Sequence, residues 1–192
     1  QLVDRFGPRL PLVIGPSIAA VGFALFALPG VGASYWSGFL PAVVVLGFGM
    51  TVTVAPLTTT VMNAVGPDLA GVASGVNNAV SRAAAVLAIA VFGAIMAWAF
   101  DAALAERLQA MGASDEVRSF LASERDRLAA AGAPPGADAA TVAAVKRAVA
   151  ESFVAGFRWV MLLSAGLAVL SAVSAWLMIR RAPTAKPDNN KP

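Results

Sequence analysis

Residues 10–67 read LPLVIGPSIAAVGFALFALPGVGASYWSGFLPAVVVLGFGMTVTVAPLTTTVMNAVGP, 58 positions without one charged side chain. Ordinary soluble domains carry about 25% charged residues, so a stretch of this kind requires an apolar solvent. The hydrocarbon core of a bilayer is about 30 Å thick and takes roughly 20 helical residues to cross. Breaks near Pro29–Ser37 and near Gly66–Pro67 leave room for two crossings. The chain is read as embedded in a membrane.

The rest of the composition agrees. Mean hydropathy is +0.74, with 58% apolar and 13% charged residues. The net charge of +3 is small, and the basic residues are scattered without interleaved aromatics, which argues against a nucleic-acid partner. The chain has no Cys and no His, so disulfides, Cys nucleophiles, the usual zinc sites and a His proton relay are excluded. Neither a metal, a cofactor nor a catalytic residue is expected. Eleven Arg against three Lys, with abundant Ala, fit a GC-rich bacterial genome.

A cleaved secretory leader is the reading to weigh against a membrane span. Val31-Gly32-Ala33 looks like a signal-peptidase site after the run Leu10–Leu28. That run of 19 residues exceeds the roughly 7–15 of a leader's apolar region, and Pro11 and Pro16 interrupt it. A second apolar span follows at once. The membrane span is the better account.

Four spans are predicted: about Leu10–Leu28, Trp36–Asn63 with Pro56 inside it, Gly71–Phe100 and Phe153–Ile179. This makes 1–9 a cytoplasmic loop, 10–100 three transmembrane helices and 101–152 an extracytoplasmic helical segment. Residues 153–181 form the last transmembrane helix and 182–192 a polar, proline-rich disordered tail. A kink is expected at Pro56, freeing a carbonyl near Val52, with Thr58, Thr59 and Thr60 as candidates to satisfy backbone groups there. Within 101–152, Ala102–Met111 and Asp115–Ala131 show helical apolar spacing, as with Val117, Phe120, Leu121 and Leu128; Gly132-Ala-Pro-Pro-Gly136 interrupts it, and Ala139–Glu151 is helical again, leading into the last span. The segment is read as short amphipathic helices on the membrane surface or packed on themselves.

Orientation follows from the cations. One side collects seven basic and three acidic residues, the other seven basic and eight acidic. Residues near span ends weigh most, and Arg5, Arg9, Arg180 and Arg181 dominate there. Both termini are placed in the cytoplasm, in a plasma (inner) membrane.

Leu2-Val3-Asp4-Arg5-Phe6-Gly7-Pro8-Arg9 resembles the Gly-x-Leu-x-Asp-Arg-x-Gly-x-Arg loop of the major facilitator superfamily of transporters. Gly7 allows a tight turn, Asp4 sits near a helix end, and Arg5 and Arg9 meet headgroups or a partner helix. The structural alternative is an ordinary positive-inside loop. Further on, Gly47-Phe48-Gly49-Met50, Pro56-Leu57-Thr58-Thr59 and the run Gly66–Asn78 look like late spans of the drug:proton antiporter group with about fourteen spans. Ser152-Phe153-Val154-Ala155-Gly156-Phe157-Arg158 is similar to that group's opening of the last span. The leading Gly of the loop motif would fall one residue before Gln1, so a C-terminal part of a longer chain is expected.

The resemblance implies an all-α integral membrane protein, its four transmembrane helices drawn from the C-terminal half of a major facilitator fold. It implies proton-coupled efflux of small molecules by alternating access, with the missing N-terminal part, protons, a small-molecule substrate and the lipid bilayer as partners. The motif residues Asp4, Arg5, Gly7 and Arg9 would then act in gating. A self-contained four-span scaffold without transport is the competing reading.

Gly71, Gly75, Ala79 and Ala83 recur every fourth residue and form a stripe on which another helix can pack closely. Asn77, Asn78, Ser81 and Arg82 follow on the same span. Polar groups at membrane depth face protein or a water-filled cavity, so Asn77 and Asn78 serve either function or an interhelical hydrogen bond. Arg82 and Arg158 are read as snorkelling to the headgroups. No Asp or Glu lies at the middle of a span, so the proton-carrying acid is not expected in this stretch. A Walker loop and a catalytic dyad are also lacking, which speaks against an enzyme.

Overall fold

A computed structural model describes residues 9–63 and 65–179. Its described part is helical, with no strand. Among the described residues, four helices are long and apolar enough to cross a membrane. They are α1 (Arg9–Phe26), α2 (Leu40–Asn63, entered through one π-helical turn, Tyr35–Phe39), α3 (Ala70–Ala110) and α5 (Ala139–Met178). A short helix α4 (Asp115–Ser123) and a 3-10 turn (Arg125–Ala130) join α3 to α5. The predicted tail, 182–192, lies outside the described residues.

The spans do not pack in sequence order. α1 lies between α2 and α5, and α5 packs in turn against α3, while α2 and α3 meet only lightly. Small residues make the first contact close. A Cβ on Gly22 would stand 2.7 Å from the Cα of Leu46, and one on Gly49 would stand 2.5 Å from the backbone nitrogen of Ala19. Helices in lipid gain little from burying apolar surface against each other, so backbone approach of this kind supplies their dispersion energy. Gly156 does the same for α3 and α5, where a Cβ would press on the sulfur of Met96 at 2.9 Å.

α2 runs on through Pro56, which is buried. The threonines behind it do not answer the Val52 carbonyl, contrary to the expectation. Thr58, Thr59 and Thr60 donate to the carbonyls of Val54, Ala55 and Pro56 at 3.2, 3.1 and 2.7 Å. In a helix a hydroxyl reaches the carbonyl four residues before its own position, and for Val52 that position is Pro56 itself.

The segment between the last two spans is helical at both ends, over the stretches 102–110 and 139–151 where the apolar spacing predicts helix. Phe100–Asp101 is not a helix boundary, because α3 continues to Ala110 and α5 already begins at Ala139. Phe100, Leu104 and Leu108 repeat every fourth residue, and they meet Val145, Ala148 and Val149 of α5 with Val117, Leu121 and Ala131 in one buried cluster. This apolar core is what keeps both helices wound beyond the span. Gly112, at φ +66°, ends α3, with Ala113 N–H donating to Leu108 and Gly112 N–H to Gln109, the paired bonds of a Schellman stop. Ser114 then caps α4, accepting from the Val117 N–H, and Asp138 caps α5, accepting from the Thr141 N–H at 2.8 Å.

Candidate functional site

Asp4, Arg5 and Gly7 of the loop motif lie outside the described residues. Arg9, its last member, opens α1. Its guanidinium donates to the carbonyl oxygen of Trp176 at 2.6 Å and lies 5.4 Å from the centroid of that residue's indole. Trp176 stands in the last turn of α5, two residues before Met178, where helix carbonyls run out of intrahelical donors. A cation there answers both the carbonyl and the negative end of the helix dipole.

The other end of the same helix pair carries the mirror arrangement. Arg158, in the body of α5, donates from Nη2 to the carbonyl oxygen of Leu28 at 3.3 Å, two residues past the end of α1. Arg158, read from the sequence as snorkelling outward, is exposed and has a backbone acceptor on a neighbouring element. Nothing local in the sequence marks that acceptor, 130 residues away.

Asn77, Asn78 and Arg82 are not brought together with Arg9, and among the described residues their side chains form no hydrogen bond or ion pair. Asn77 is half-buried and lines an apolar groove of about 530 Å³ between the end of α2 and the start of α3, with Val61, Val65, Val72 and Val80 among its walls. Asn78 and Arg82, one turn apart, are exposed. Gly71 and Gly75 have open space where a Cβ would stand. The small-residue stripe is therefore uncovered among the described residues, and the close packing of the bundle is built elsewhere, at Gly22, Gly49 and Gly156.

Beyond the span, α3 and α5 are tied by charge as well. Glu151 accepts from Arg147 Nε at 2.8 Å and from Arg107 Nε at 3.3 Å. The Arg147 hydrogen bond, then that of Arg107, holds the Glu151 carboxyl below its ordinary range.

The Major Facilitator Superfamily family model matches residues 1–90. The whole chain also aligns with the tetracenomycin C resistance and export protein of Streptomyces glaucescens, at 28% identity over 201 residues. The chain spans 35% of that relative's length. With four apolar helices, a family match that runs from residue 1 into the third span and an aligned export protein, the chain is similar to the major facilitator superfamily.

Proposed function

We propose that the chain is the C-terminal part of a secondary active exporter of small molecules, driven by protons and working by alternating access. The observation that carries this reading is the uncovered face of α3. Asn78 and Arg82 stand one turn apart, exposed, in the first part of α3, on the face that also carries Gly71 and Gly75. Ionisable groups on a spanning helix are costly unless they meet protein or a water-filled path, so this face calls for the remainder of a larger transporter. The relative's role in tetracenomycin C resistance and export supports an outward direction and a small-molecule cargo. The described spans hold no acidic residue at their middle, so the proton-carrying group belongs to the other part of the protein. A hydrophobic small molecule or drug is the substrate class, and a bacterial plasma membrane is the site of action.

The test is export by the full-length protein in a drug-sensitive bacterial host. Accumulation of an amphiphilic dye should fall on expression and recover when a protonophore collapses the gradient. Export that is indifferent to the protonophore would remove the proton from the mechanism. Orientation is tested separately with cysteines, since the chain contains none. A Cys at Gln109 should react with an impermeant thiol reagent in intact cells, and one at Asp68 only after permeabilisation. The reverse pattern overturns cytoplasmic termini.

A further inference from the structure

Arg9 meets Trp176, and Arg158 meets Leu28. α1 and α5 are antiparallel, and the two contacts lie 19 residues apart on α1 and 18 apart on α5. At about 1.5 Å per residue they stand roughly 28 Å apart, close to the thickness of a hydrocarbon core. In each contact an arginine on one helix takes a carbonyl oxygen at or just past the other's C-terminal end. Trp159, beside Arg158, and Trp176, beneath Arg9, are both exposed, as tryptophans at the two bilayer borders are. Between the contacts α1 is the most enclosed of the four spans, and the residues of α5 that are buried there, Ser164 and Ala172, are small.

We propose that Arg158 is a positioning residue which, opposite Arg9, staples α1 to α5 at the far bilayer border, so that the two helices move as one body during transport. A guanidinium at a membrane border needs a strong acceptor, and a carbonyl at the end of a helix is unsatisfied and lies at the negative end of the dipole. Each group meets the other's requirement, and the bond is strongest where water is scarce. With one staple per border, tilting of α1 against α5 requires breaking a charged hydrogen bond at one end or the other. The proposal rests on the transport reading given above.

The experiment uses the full-length protein, with any Cys outside this stretch replaced. Arg158→Gln is expected to lower the maximal export rate about fivefold with KM within a factor of about two, a change of roughly 1 kcal/mol in the barrier. Arg158→Lys, which keeps a donor, should recover much of that rate. In the double variant Leu28→Cys with Arg158→Cys, export should be low, and a short bis-methanethiosulfonate, which joins the two thiols through reducible disulfides with loss of methanesulfinate, should restore it. Wild-type export from Arg158→Gln, or export abolished by the cross-link and regained on reduction, overturns the proposal; so does failure of the pair to cross-link. Should Arg158→Gln fail to insert, the cross-linked pair still decides. Should the wild type export nothing, the transport reading falls, and cross-linking yield with thermal stability still reads the staple.

Discussion

Arg9 and Trp176 join the start of the first span to the end of the last by two interactions of different character. The guanidinium donates to the Trp176 carbonyl at 2.6 Å and sits 5.4 Å from the centre of its indole. Because the acceptor is backbone, substitution separates the two. Trp176→Ala keeps the hydrogen bond and should cost about 0.5–1 kcal/mol, the worth of an exposed cation–π contact. Arg9→Ala removes both and should cost about 2–3 kcal/mol, a charged hydrogen bond included. Thermal unfolding of the full-length protein in detergent ranks the two, and equal costs would mean that the hydrogen bond contributes nothing.

The α1–α2 crossing makes a sharper structural prediction. Gly49 and Gly47 lie two residues apart on α2, yet a Cβ at 49 meets the α1 backbone while one at 47 meets nothing within 4 Å. Backbone cannot rotate away as a side chain can. Gly49→Ala should therefore destabilise by about 1–3 kcal/mol, the range for overpacking. Gly47→Ala should be neutral or slightly stabilising, since alanine loses less backbone entropy than glycine on entering a helix. Detergent melting of the two variants side by side is the measurement.

That pair also marks what the sequence makes legible. The crossings could be read from 58 uncharged residues, because lipid demands apolar side chains all along a span. Which helix meets which could not. Gly71, Gly75, Ala79 and Ala83 have the spacing of a close contact and are uncovered, whereas Gly15, Ala19 and Gly22, spaced by four and three, line the α1 side of the tightest crossing. Spacing says that a backbone can be approached, not what approaches it. The staples were hidden for a related reason: an arginine is visible in sequence, and its carbonyl acceptor has no sequence signature. The helical spacing over 102–111 is legible, but its unbroken junction with α3 is not, since the charged residues Asp101, Glu106 and Arg107 end the hydropathy signal without ending the helix.

Glu151 predicts how the segment beyond the span responds to acid. Its folded carboxyl is held below the ordinary value of 4.5, chiefly by the Arg147 hydrogen bond and then by that of Arg107. A depressed carboxyl contributes stability that is complete above the unfolded value and is lost as pH falls through the folded one. Protection of α4 and the adjoining turns of α3 and α5 from hydrogen exchange should be flat from about pH 8 to pH 6 and decline only in strong acid. Asp138, lowered by the Thr141 N–H, acts in the same direction. Glu151→Gln should remove part of the decline, and Arg147→Gln should move it to higher pH. A loss of protection already complete near pH 6 would mean that other groups govern this segment.

Arg82 carries the last prediction, because it separates a functional face from a lipid-exposed one. On α3 it stands one turn from Asn78, exposed, on a helix whose neighbouring positions Val80 and Val86 are apolar and also exposed. If this face turned to lipid alone, Arg82 would lie in the headgroups by extending its stem, and leucine there would be tolerated or even favoured. If it meets the remainder of the transporter or a water-filled path, leucine leaves a polar partner without its cation, while lysine retains the charge. In the full-length protein Arg82→Leu is expected to lower export about tenfold with membrane abundance near normal, the effect of about 1.4 kcal/mol. Arg82→Lys should retain a measurable fraction, and Asn78→Ala should fall between the two. Dye accumulation in cells, normalised to protein in the membrane fraction, reads all three. Undiminished export from Arg82→Leu would turn this face to lipid and remove the observation on which the proposed function rests.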